Sequence, residues 1–363
     1  MTLQLAFLIN DLRSGGAERL VKDLAIEMQG YEGIEPIVIV ANPTGELFSD
    51  LEESDIDVVS LGTSVSTMSI PRATWRLSRV LKDREIDLLH SHLPFSHVVG
   101  RLACARIRIP QVATYHNVRD HKTRPKRLAE RVTGRLSDRI VCVSKGVRES
   151  YPDSNRMTVI YNAIDVKGFC ERVEAADTTD LEAQHDGERI LLNVARCVKQ
   201  KRQQDLVEAM RFIDDEVHLY IVGDGPCRQE IEKRVTEQSL EECITVTGYV
   251  EAIEPYFSVA DVFVSSSENE GLPTTHVEAS AAKLPIVSTE IAGVTEVITN
   301  GETGYLYPVG DYEALARCIE TMLNEDLNRV GENAFQHAMS KFTIEQIGAQ
   351  HKSLYGSCLG VDS

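Results

Sequence analysis

The sequence predicts an α/β protein with two doubly wound, Rossmann-like parallel-sheet domains. A chain of 363 residues exceeds what one hydrophobic core usually supports, and it suits two domains of about 150–180 residues. Short apolar segments alternate with amphipathic segments along most of the chain, and this alternation stops after Asp165 and resumes at Arg189. Together, these observations indicate two α/β units in series.

Six short apolar segments in the first half are predicted to be buried strands: LQLAFLI, PIVIVA, DVVSL, IDLLH, QVATY and RIVCVS. Amphipathic segments such as 17–29 and 71–83 lie between them and have the apolar spacing of helices. Strands that are apolar throughout and separated by helices are typical of a parallel sheet covered on both faces. Residues 1–165 are therefore predicted to form the first domain.

The same pattern returns in RILLNVA, VHLYIVG, CITVTGYV, DVFVSSS and LPIVST, so residues 188–341 are predicted to form the second domain. The polar, acidic residues 166–187 are predicted to be a linker. A long helical segment at about 311–355 ends the pattern, and its last helix, about 342–358, is expected to pack back on the first domain.

Charge and hydropathy exclude several classes of protein. The net charge is −18, with 22 Lys and Arg against 21 Asp and Glu in residues 1–165 and 16 against 35 in the remainder. Nucleic-acid binding, which requires a basic surface, is therefore not expected. No apolar run approaches the roughly 20 residues of a membrane span, and the opening residues lack the basic region of a signal peptide. We expect a cytoplasmic protein, soluble or attached peripherally to the inner face of the cytoplasmic membrane.

The loops that follow the strands are the candidate binding regions, because open parallel sheets bind ligands beyond the carboxyl ends of their strands. If the two domains face each other, these loops line one cleft. They comprise residues 10–16, 90–94, 116, 144, 196–201, 223–225, 248–250 and 265–275.

Two of these loops have features of phosphate binding. In NDLRSGGAERL, Gly15 and Gly16 open a helix whose free N–H groups attract anions, although the spacing is not the G-x-G-x-x-G of dinucleotide sites. A plain structural turn is the alternative. In NVARCVKQKRQQDL, Arg196 and Lys201 follow a strand of the acidic half, where cations are expected to bind phosphate. Solvated surface cations are the alternative there.

The segment VFVSSSENEGLPTTHVEAS contains two glutamates eight residues apart. Pro273 suits the first helical position, and the helix amides with Thr274 and Thr275 would hold a phosphate. Glu278, one turn deeper, would accept hydrogen bonds from hydroxyl groups, and Glu270 would reach a group on the far side of that phosphate. A phosphate between two hydroxyl-bearing groups describes a sugar nucleotide, although two acids at this spacing also occur by chance.

The chain resembles the retaining glycosyltransferases of family 4, which have the GT-B fold, over nearly its whole length. The matching motifs, in chain order, are GGAER, VSKGV, VIYNAID, VARCVKQK, IVGDGP, VTGYV, ADVFVSSSENEGLPTTHVEA and GVTEVITNGETGYLYPVGD. The resemblance implies two domains that face a cleft. The first would bind mainly the acceptor, and the second a nucleotide-diphosphate sugar as donor.

The resemblance also implies roles by position. Arg196 and Lys201 would bind the donor diphosphate and stabilise the leaving group. Glu270 would hold the hydroxyls of the donor sugar, and Glu278 those of the ribose. His116 would lie near the donor sugar and its phosphate. His116, Glu270, Arg196 and Lys201 are thus the implied catalytic residues.

Further donor-binding residues are implied in the surrounding loops. Gly15 and Gly16 would close on the diphosphate, and Tyr249 or Val250 would flank the base. Pro273 replaces a frequent glycine of the family, which removes one phosphate-binding amide, and KQKR replaces the usual Lys-Gly after the arginine. The implied set is Gly15, Gly16, Arg196, Lys201, Gly223, Tyr249, Val250, Gly271, Leu272, Thr274, Thr275 and Glu278.

No metal or other cofactor is expected. His90, His92 and His97 crowd the end of one predicted strand, but no carboxylate or thiol lies at ligand spacing beside them. The D-x-D of Asp55 and Asp57 precedes its strand and would face away from the cleft. Neutralisation of the donor phosphates is therefore assigned to cations and helix termini.

A basic segment, RDHKTRPKRLAERVTGRLSDR at residues 119–139, has eight Lys and Arg against three acids. Arg127, Arg131 and Arg135 are four residues apart and form a stripe along one side of a helix. Anionic lipid headgroups attract such stripes. We predict that this stripe docks the first domain on the inner membrane leaflet, near a lipid-linked acceptor; a solvated helix face is the alternative.

These features predict a retaining hexosyltransferase of polysaccharide biosynthesis. It would move a hexose or N-acetylhexosamine from a nucleotide-diphosphate sugar, with UDP expected before GDP, to a hydroxyl of a lipid-linked glycan or polysaccharide intermediate. A sugar-nucleotide epimerase or hydrolase on the same fold is an alternative, and an inactive homologue serving as an assembly subunit is another. The sequence leaves the sugar, linkage, acceptor and oligomeric state open.

Overall fold

The computed structural model describes residues 2–13, 15–119, 124–152, 154–185, 187–213 and 216–360, with the backbone alone at 124–126. The chain divides into two compact units, here called unit 1 (Met1–Ala163 with Ile344–Ser363) and unit 2 (Ile164–Thr343). Each unit is a parallel sheet with helices, so the predicted fold class is confirmed. Within the described residues, no helix combines the length and apolarity needed to cross a membrane.

The strands are β1 (Leu3–Ile9), β2 (Ile34–Val40), β3 (Asp57–Ser60), β4 (Leu88–His92), β5 (Gln111–Tyr115), β6 (Arg139–Cys142), β7 (Met157–Val159), β8 (Arg189–Val194), β9 (Val217–Val222), β10 (Ile244–Gly248), β11 (Val262–Ser265), β12 (Ile286–Thr289) and β13 (Gly304–Tyr307). Every apolar segment named from the sequence overlaps one of these strands. β7 and β13 were not predicted; both lie at the edge of their sheet and are only partly buried, so their apolar pattern is weak.

The helices are α1 (Gly16–Gln29), α2 (Phe48–Glu53), α3 (Ile70–Asp83), α4 (Pro94–Ile107), α5 (Arg124–Thr133), α6 (Lys145–Glu149), α7 (Val166–Glu174), α8 (Thr179–Glu182), α9 (Gln203–Met210), α10 (Arg228–Glu237), α11 (Glu254–Val259), α12 (Thr274–Ala281), α13 (Val294–Val297), α14 (Tyr312–Leu323), α15 (Leu327–Lys341) and α16 (Ile344–Leu359). The predicted segments 17–29 and 71–83 correspond to α1 and α3.

Unit 1 is a seven-stranded sheet in the order β3-β2-β1-β4-β5-β6-β7, with all strands parallel. Successive residues of β1 face opposite sides. Phe7 joins a core with Leu24 of α1, whereas Leu8 joins a second core with Leu77 of α3 and Val99 of α4. Helices therefore cover both faces of the sheet, as the apolar strands indicated.

Helix α16, from the far end of the chain, belongs to unit 1. Its Ile347 and Tyr355 are buried in the core shared with α1. At Gly348 a Cβ would lie 2.5 Å from the Glu27 side chain of α1, so the two helices pack closely at this point. Where the chain passes into and out of unit 2, the N–H of Ile164 donates to the carbonyl of Phe342 at 3.1 Å.

Unit 2 is a six-stranded parallel sheet in the order β10-β9-β8-β11-β12-β13. Leu191 of β8, Ile221 of β9 and Val264 of β11 lie in one core. Val207 of α9 and Leu315 of α14 cover that core from one side. The central strands β8 and β11 are neighbours in the sheet although about 70 residues separate them.

The structure corrects the predicted linker at residues 166–187, where α7 and α8 form instead. Val166, Phe169 and Val173 of α7 are buried, and their spacing is helical. α7 packs against α11 and α12, with the rings of Phe169 and Phe257 5.3 Å apart. The acidic composition of the segment obscured this apolar stripe.

The predicted helical segment at about 311–355 is three separate helices, α14, α15 and α16. Asp311 caps α14 by accepting from the Ala314 N–H at 2.9 Å. Asp326 caps α15 in the same way, accepting from the Arg329 N–H at 3.2 Å. These aspartates are the usual signal of a helix start, and they divide the segment.

Candidate active site

The loops after β8 and β11 form the centre of the candidate site in unit 2. β8 and β11 pair in parallel, with Leu191 opposite Val262 and Leu192 opposite Phe263. The carboxyl ends of the two strands therefore lie side by side, although the strands are far apart in sequence. This pairing brings residues 195–202 next to residues 266–273.

Hydrogen bonds fasten these two loops to each other. The side chain of Gln200 donates to the carbonyl of Asn269 at 2.7 Å, and the Glu268 N–H donates to the carbonyl of Gln200 at 2.9 Å. The Ser266 hydroxyl donates to the carbonyl of Lys201 at 2.9 Å. The backbone that carries Lys201 is thus held in a fixed position against the loop that carries Glu270.

Lys201 and Glu270, two of the predicted catalytic residues, form an ion pair. Lys201 Nζ lies 2.6 Å from Glu270 Oε1. The side chains are 21% and 11% exposed, so the pair is shielded from bulk water yet open at one side. An ion pair in this position presents a cation and a carboxylate to the same small volume.

Arg196 follows β8 and is exposed. Its backbone carbonyl accepts from Gln203 at 3.1 Å, which ties the loop to α9. Within the described residues, no hydrogen bond or ion pair involves its guanidinium group. An arginine without a carboxylate partner, in the acidic half of the chain, is available for an anionic ligand.

Helix α12 begins at Thr274, as predicted, but Pro273 lies at the N-cap rather than at the first helical position. The first amides of a helix have no partner within it, and Thr274 and Thr275 are half-buried at this end. Glu278, one turn further on, is buried, at 4% exposure. The helix therefore offers amides at its start and a buried carboxylate behind them.

His276 in the first turn of α12 was not singled out from the sequence. Its Nε2 is 2.9 Å from the hydroxyl of Ser288 on β12. The pKa of His276 is lowered to about 3, mainly by burial and to a smaller extent by the positive charge of nearby Lys201. The imidazole is therefore neutral beside the cation. The signal was present in the motif THVEA, two residues before Glu278.

Glycine residues of unit 2 allow close backbone packing around the Lys201–Glu270 pair. Gly223 has a φ of +137°, and a Cβ there would lie 2.1 Å from the carbonyl oxygen of Ala195. Gly293 packs against Gly271 in the same way: a Cβ on Gly293 would lie 2.2 Å from the carbonyl oxygen of Gly271. Leu272 is buried beside it. These contacts fix the backbone on both sides of the Lys201–Glu270 pair.

Tyr249 and Val250 follow β10, which lies at one edge of the sheet. The Gly223 N–H donates to the carbonyl of Gly248 at 2.9 Å, so this loop adjoins the loop after β9. The Tyr249 side chain is 63% exposed, and Val250 is half-buried. An exposed aromatic ring at this position is suited to stacking on a planar group.

In unit 1, His116 follows β5 and contacts a buried histidine. His116 Nε2 lies 3.1 Å from Nδ1 of His92, at the end of the neighbouring strand β4. The ring of His90 is 4.3 Å from that of His92, and His90 Nδ1 lies 2.7 Å from the hydroxyl of Tyr355 on α16. Burial lowers the pKa of His90 and His92 well below the usual value, so both are neutral.

Gly15 and Gly16 occupy the start of α1. Gly15 is the N-cap, in an extended conformation, and Gly16 is the first helical residue. A Cβ on Gly15 would lie 2.4 Å from the carboxylate of Glu18. The structure thus gives unit 1 a helix start without side chains, as predicted.

Two family models match the chain in succession. The one described as Glycosyltransferase Family 4 matches residues 14–167, and the one described as Glycosyl transferases group 1 matches residues 178–337. The chain belongs to glycosyltransferase family 4. It has the GT-B fold, and its enzyme class is that of the hexosyltransferases.

Curated relatives and solved structures agree with this assignment. The chain is 28% identical to an N-acetyl-alpha-D-glucosaminyl L-malate synthase of Bacillus anthracis, over 79% of each chain. It is 23% identical to a UDP-Gal:alpha-D-GlcNAc-diphosphoundecaprenol alpha-1,3-galactosyltransferase of Escherichia coli, over 88% of each. The crystal structure of Anabaena Alr3699/HepE with UDP and glucose matches with a TM-score of 0.85 and 20% identity, covering 98% of this chain and 100% of that one.

The glycosyltransferase also contains a group of side chains that are close enough to share a metal ion. The ligand atoms of His185, Glu188 and His218 lie within 4.8 Å of one another, and His185 Nδ1 is 2.7 Å from Glu188 Oε2. These residues lie at the amino ends of β8 and β9, whereas Arg196 and Lys201 follow the carboxyl end of β8. They are therefore not part of the candidate active site.

Proposed function

We propose that this glycosyltransferase transfers a hexose or N-acetylhexosamine from a nucleotide-diphosphate sugar to a hydroxyl acceptor with retention of configuration. The contact between Lys201 and Glu270 carries the proposal, because it places a cation and a carboxylate in one half-buried volume. A sugar diphosphate requires both types of group, one for the phosphate and one for the sugar hydroxyls.

The donor phosphates are proposed to bind between Arg196, Lys201 and the start of α12. Arg196 has an open guanidinium group, and the α12 amides supply further donors at Thr274 and Thr275. A phosphate oxygen beside Lys201 would share its charge, which leaves Glu270 to accept hydrogen bonds from the donor sugar. These groups neutralise the phosphates without a metal ion.

The remaining part of the nucleotide is assigned to Glu278 and the loop after β10. The buried carboxylate of Glu278 would accept from the ribose hydroxyls, and Tyr249 or Val250 would lie against the base. We infer UDP rather than GDP as the carrier. The Escherichia coli relative is named for UDP-Gal, and the Anabaena structure holds UDP.

The proposed reaction breaks the bond between the anomeric carbon and the phosphate oxygen, whose electron pair stays with the departing diphosphate. The acceptor oxygen then bonds to the anomeric carbon on the same face, and its proton passes to the departing phosphate oxygen. Arg196 and Lys201 stabilise the charge that develops on the diphosphate, where fixed cations contribute most. In unit 1, we assign His116 to a hydroxyl of the reacting sugar.

The acceptor is proposed to be a lipid-linked glycan or polysaccharide intermediate, bound mainly by unit 1. The Escherichia coli relative is named for a diphosphoundecaprenol-linked acceptor. We also propose that the enzyme is cytoplasmic and associates with the inner face of the membrane through Arg127, Arg131 and Arg135. Sedimentation with anionic vesicles tests this. If charge reversal of the three arginines to Glu left binding unchanged, the stripe would have no such role.

The experiment for the reaction is incubation with a panel of nucleotide sugars, with release of free nucleotide measured by mass spectrometry. Lys201→Ala and Glu270→Ala should each lower turnover by about 100- to 1000-fold, with unchanged circular dichroism. Lys199→Ala is the matched control, because that lysine is exposed in the same loop and should retain wild-type turnover. Wild-type rates in either active-site variant would refute the proposed role of that residue.

Two product measurements separate the proposal from its rivals. A transferase forms a new glycoside only when a hydroxyl acceptor is present, whereas a hydrolase or epimerase alters the donor alone. The coupling constant of the anomeric proton in the product then reports whether configuration is retained. An inverted product would contradict the retaining mechanism.

A further inference from the structure

The helices α3, α4 and α5 form a layer on one side of unit 1. α4 packs against α3 on one side and α5 on the other. Leu77 of α3 and Val99 of α4 face the sheet in a common core. Arg101 of α4 joins α5 to this layer by donating to the Thr133 hydroxyl at 3.2 Å. The opposite surface of these helices, here called the α3–α5 face, is exposed.

Large apolar side chains are concentrated on the α3–α5 face. Ten such side chains are exposed among the described residues, and seven of them lie on this face, in the segment before α3 or in the turn after α5. Met68 is 94% exposed, Leu128 61% and Val132 67%. Soluble surfaces usually show such residues singly, so this concentration indicates an interaction surface. The seven are Val65, Met68, Trp75, Leu102, Leu128, Val132 and Leu136.

The apolar residues of α5 lie in one row beside the basic stripe. Leu128 and Val132 are four residues apart, and Leu136 continues the spacing in the turn after the helix. Each directly follows an arginine of the stripe, so the apolar row and the cationic row run parallel. On α3, the guanidinium of Arg79 lies over the exposed ring of Trp75, 5.2 Å from its centroid. Cations and apolar groups therefore adjoin on both outer helices.

Exposed cations far outnumber exposed carboxylates on the described part of this face. Residues 64–83, 94–108 and 127–136 contain two acids: Glu130, whose side chain is buried, and Asp83, which is exposed at the end of α3. The face is thus strongly cationic in a protein whose net charge is −18. The exposed or half-buried cations are Arg72, Arg76, Arg79, Lys82, Arg106, Arg108, Arg127, Arg131 and Arg135.

We propose that the whole α3–α5 face, and not the basic stripe alone, seats the enzyme on an anionic lipid bilayer, with its apolar side chains inserted among the acyl chains. Charge complementarity selects the bilayer, because the described surface combines many cations and apolar residues with one exposed acid, Asp83. The inference rests on the proposed lipid-linked acceptor, because a unit 1 bound to the bilayer would lie next to a lipid-linked sugar. Its structural support is independent of the donor site.

The test is sedimentation of the full chain with phosphatidylcholine vesicles, with and without about one third phosphatidylglycerol. At low salt, wild-type protein should bind the vesicles that contain phosphatidylglycerol and should not bind those of phosphatidylcholine only. Because inserted apolar groups resist screening, part of this binding should persist at about 1 M NaCl. Binding to neither vesicle, or complete loss of binding in high salt, would overturn the proposal.

Paired variants separate insertion from charge. Leu128→Gln with Val132→Gln should weaken binding by about tenfold and remove the salt-resistant part, with the fold intact because both side chains are exposed. Phe212→Gln, an exposed apolar residue of unit 2, is the matched control and should bind vesicles as wild type does. Equal binding by the Leu128/Val132 variant and wild type would refute insertion.

Thermal-shift titration with UDP distinguishes this proposal from the proposed reaction. The Leu128/Val132 variant should keep the wild-type shift with UDP, because these residues are in unit 1 and the nucleotide is assigned to unit 2. A protein that binds vesicles but shows no shift with any nucleotide would contradict the donor site alone. A protein that shows the shift but fails to bind vesicles would contradict the α3–α5 face and the membrane role of the basic stripe, and it would leave the donor site unaffected.

Discussion

The strand ends of the two units differ in the charge and burial of their polar side chains. In unit 1, His90 and His92 are fully buried, and their lowered pKa values keep them neutral. In unit 2, Arg196 is exposed, and the Lys201–Glu270 pair is open at one side. Unit 1 thus uses its polar groups to hold its own fold together, whereas unit 2 keeps its charges within reach of a ligand.

This difference predicts different consequences of mutation. A polar residue removed from the interior of unit 1 should lower stability, because its buried partners lose their hydrogen bonds. A charged residue removed from the edge of unit 2 should lower donor binding or turnover with little effect on stability. Three experiments test whether the two units separate in this way.

The largest effect on stability is expected at Arg101 in α4. Its guanidinium is fully buried and donates to the hydroxyls of Ser137 at 2.8 Å, Thr133 at 3.2 Å and Tyr115 at 2.9 Å. Arg101→Leu leaves these three groups without that donor, and the free energy of unfolding of unit 1 should fall by about 3–5 kcal/mol. Urea unfolding measured by the fluorescence of Trp75, the single tryptophan of the chain, reports on this unit.

Two arginine controls sharpen this result. Arg106→Leu removes an exposed arginine from the same helix and should change stability by less than about 0.5 kcal/mol. Arg196→Leu should leave the unfolding curve unchanged while donor binding is lost. If Arg101→Leu unfolds at the wild-type urea concentration, the buried polar groups of unit 1 are not what stabilises it.

The second effect is a loss of stability of unit 1 in acid. Burial lowers the pKa of His351 to about 3, whereas the unfolded residue titrates near 6.5. Between pH 6.5 and about pH 3, His351 is protonated in the unfolded state but neutral in the folded state. Stability that is present above pH 6.5 is therefore lost as the pH falls. For His351 alone, moving from pH 7 to about pH 5 should cost about 2 kcal/mol. His90 and His92, with pKa values lowered by burial and by neighbouring histidines, should add to this loss.

Unit 2 contains His276, whose pKa is also about 3, and His218 and His337, whose pKa values are lowered by burial. Acid should therefore destabilise both units, but unit 1, with three fully buried imidazoles, more steeply. Trp75 fluorescence at a series of pH values measures the response of unit 1. His351→Gln removes one of the three neutral histidines and should make that response shallower. An identical acid response in this variant would show that the neutral form of His351 contributes nothing to stability.

The same contrast explains what the sequence could predict. Apolar strands and helical spacing identified most of the parallel strands, and the rule for open sheets selected the loops that carry Arg196, Lys201, Glu270 and Glu278. The sequence did not reveal that Lys201 contacts Glu270. That contact depends on the pairing of β8 with β11, and the order of strands in a sheet is not encoded in the local pattern.

Side chains that act through burial were the hardest to predict. His276 lies inside the motif VFVSSSENEGLPTTHVEAS, but its contact with Ser288 follows from how α12 packs on β12. The hydrogen bond between His90 and Tyr355 joins residues 265 positions apart, which no local spacing reveals. The acidic residues around α7 mask the helical spacing of Val166, Phe169 and Val173.

The smallest effect is expected at Tyr249, where unit 2 offers an exposed ring instead of a charge. Tyr249→Ala removes a stacking surface that is 63% exposed, so the fold should be unaffected. The KM for the donor should rise about tenfold with kcat within about twofold, because stacking on the base binds substrate and transition state equally. Tyr249→Phe should restore the wild-type KM, since the ring is kept. A fall in kcat instead would mean that the loop after β10 acts on the reacting groups, and the separation of binding from chemistry within unit 2 would fail.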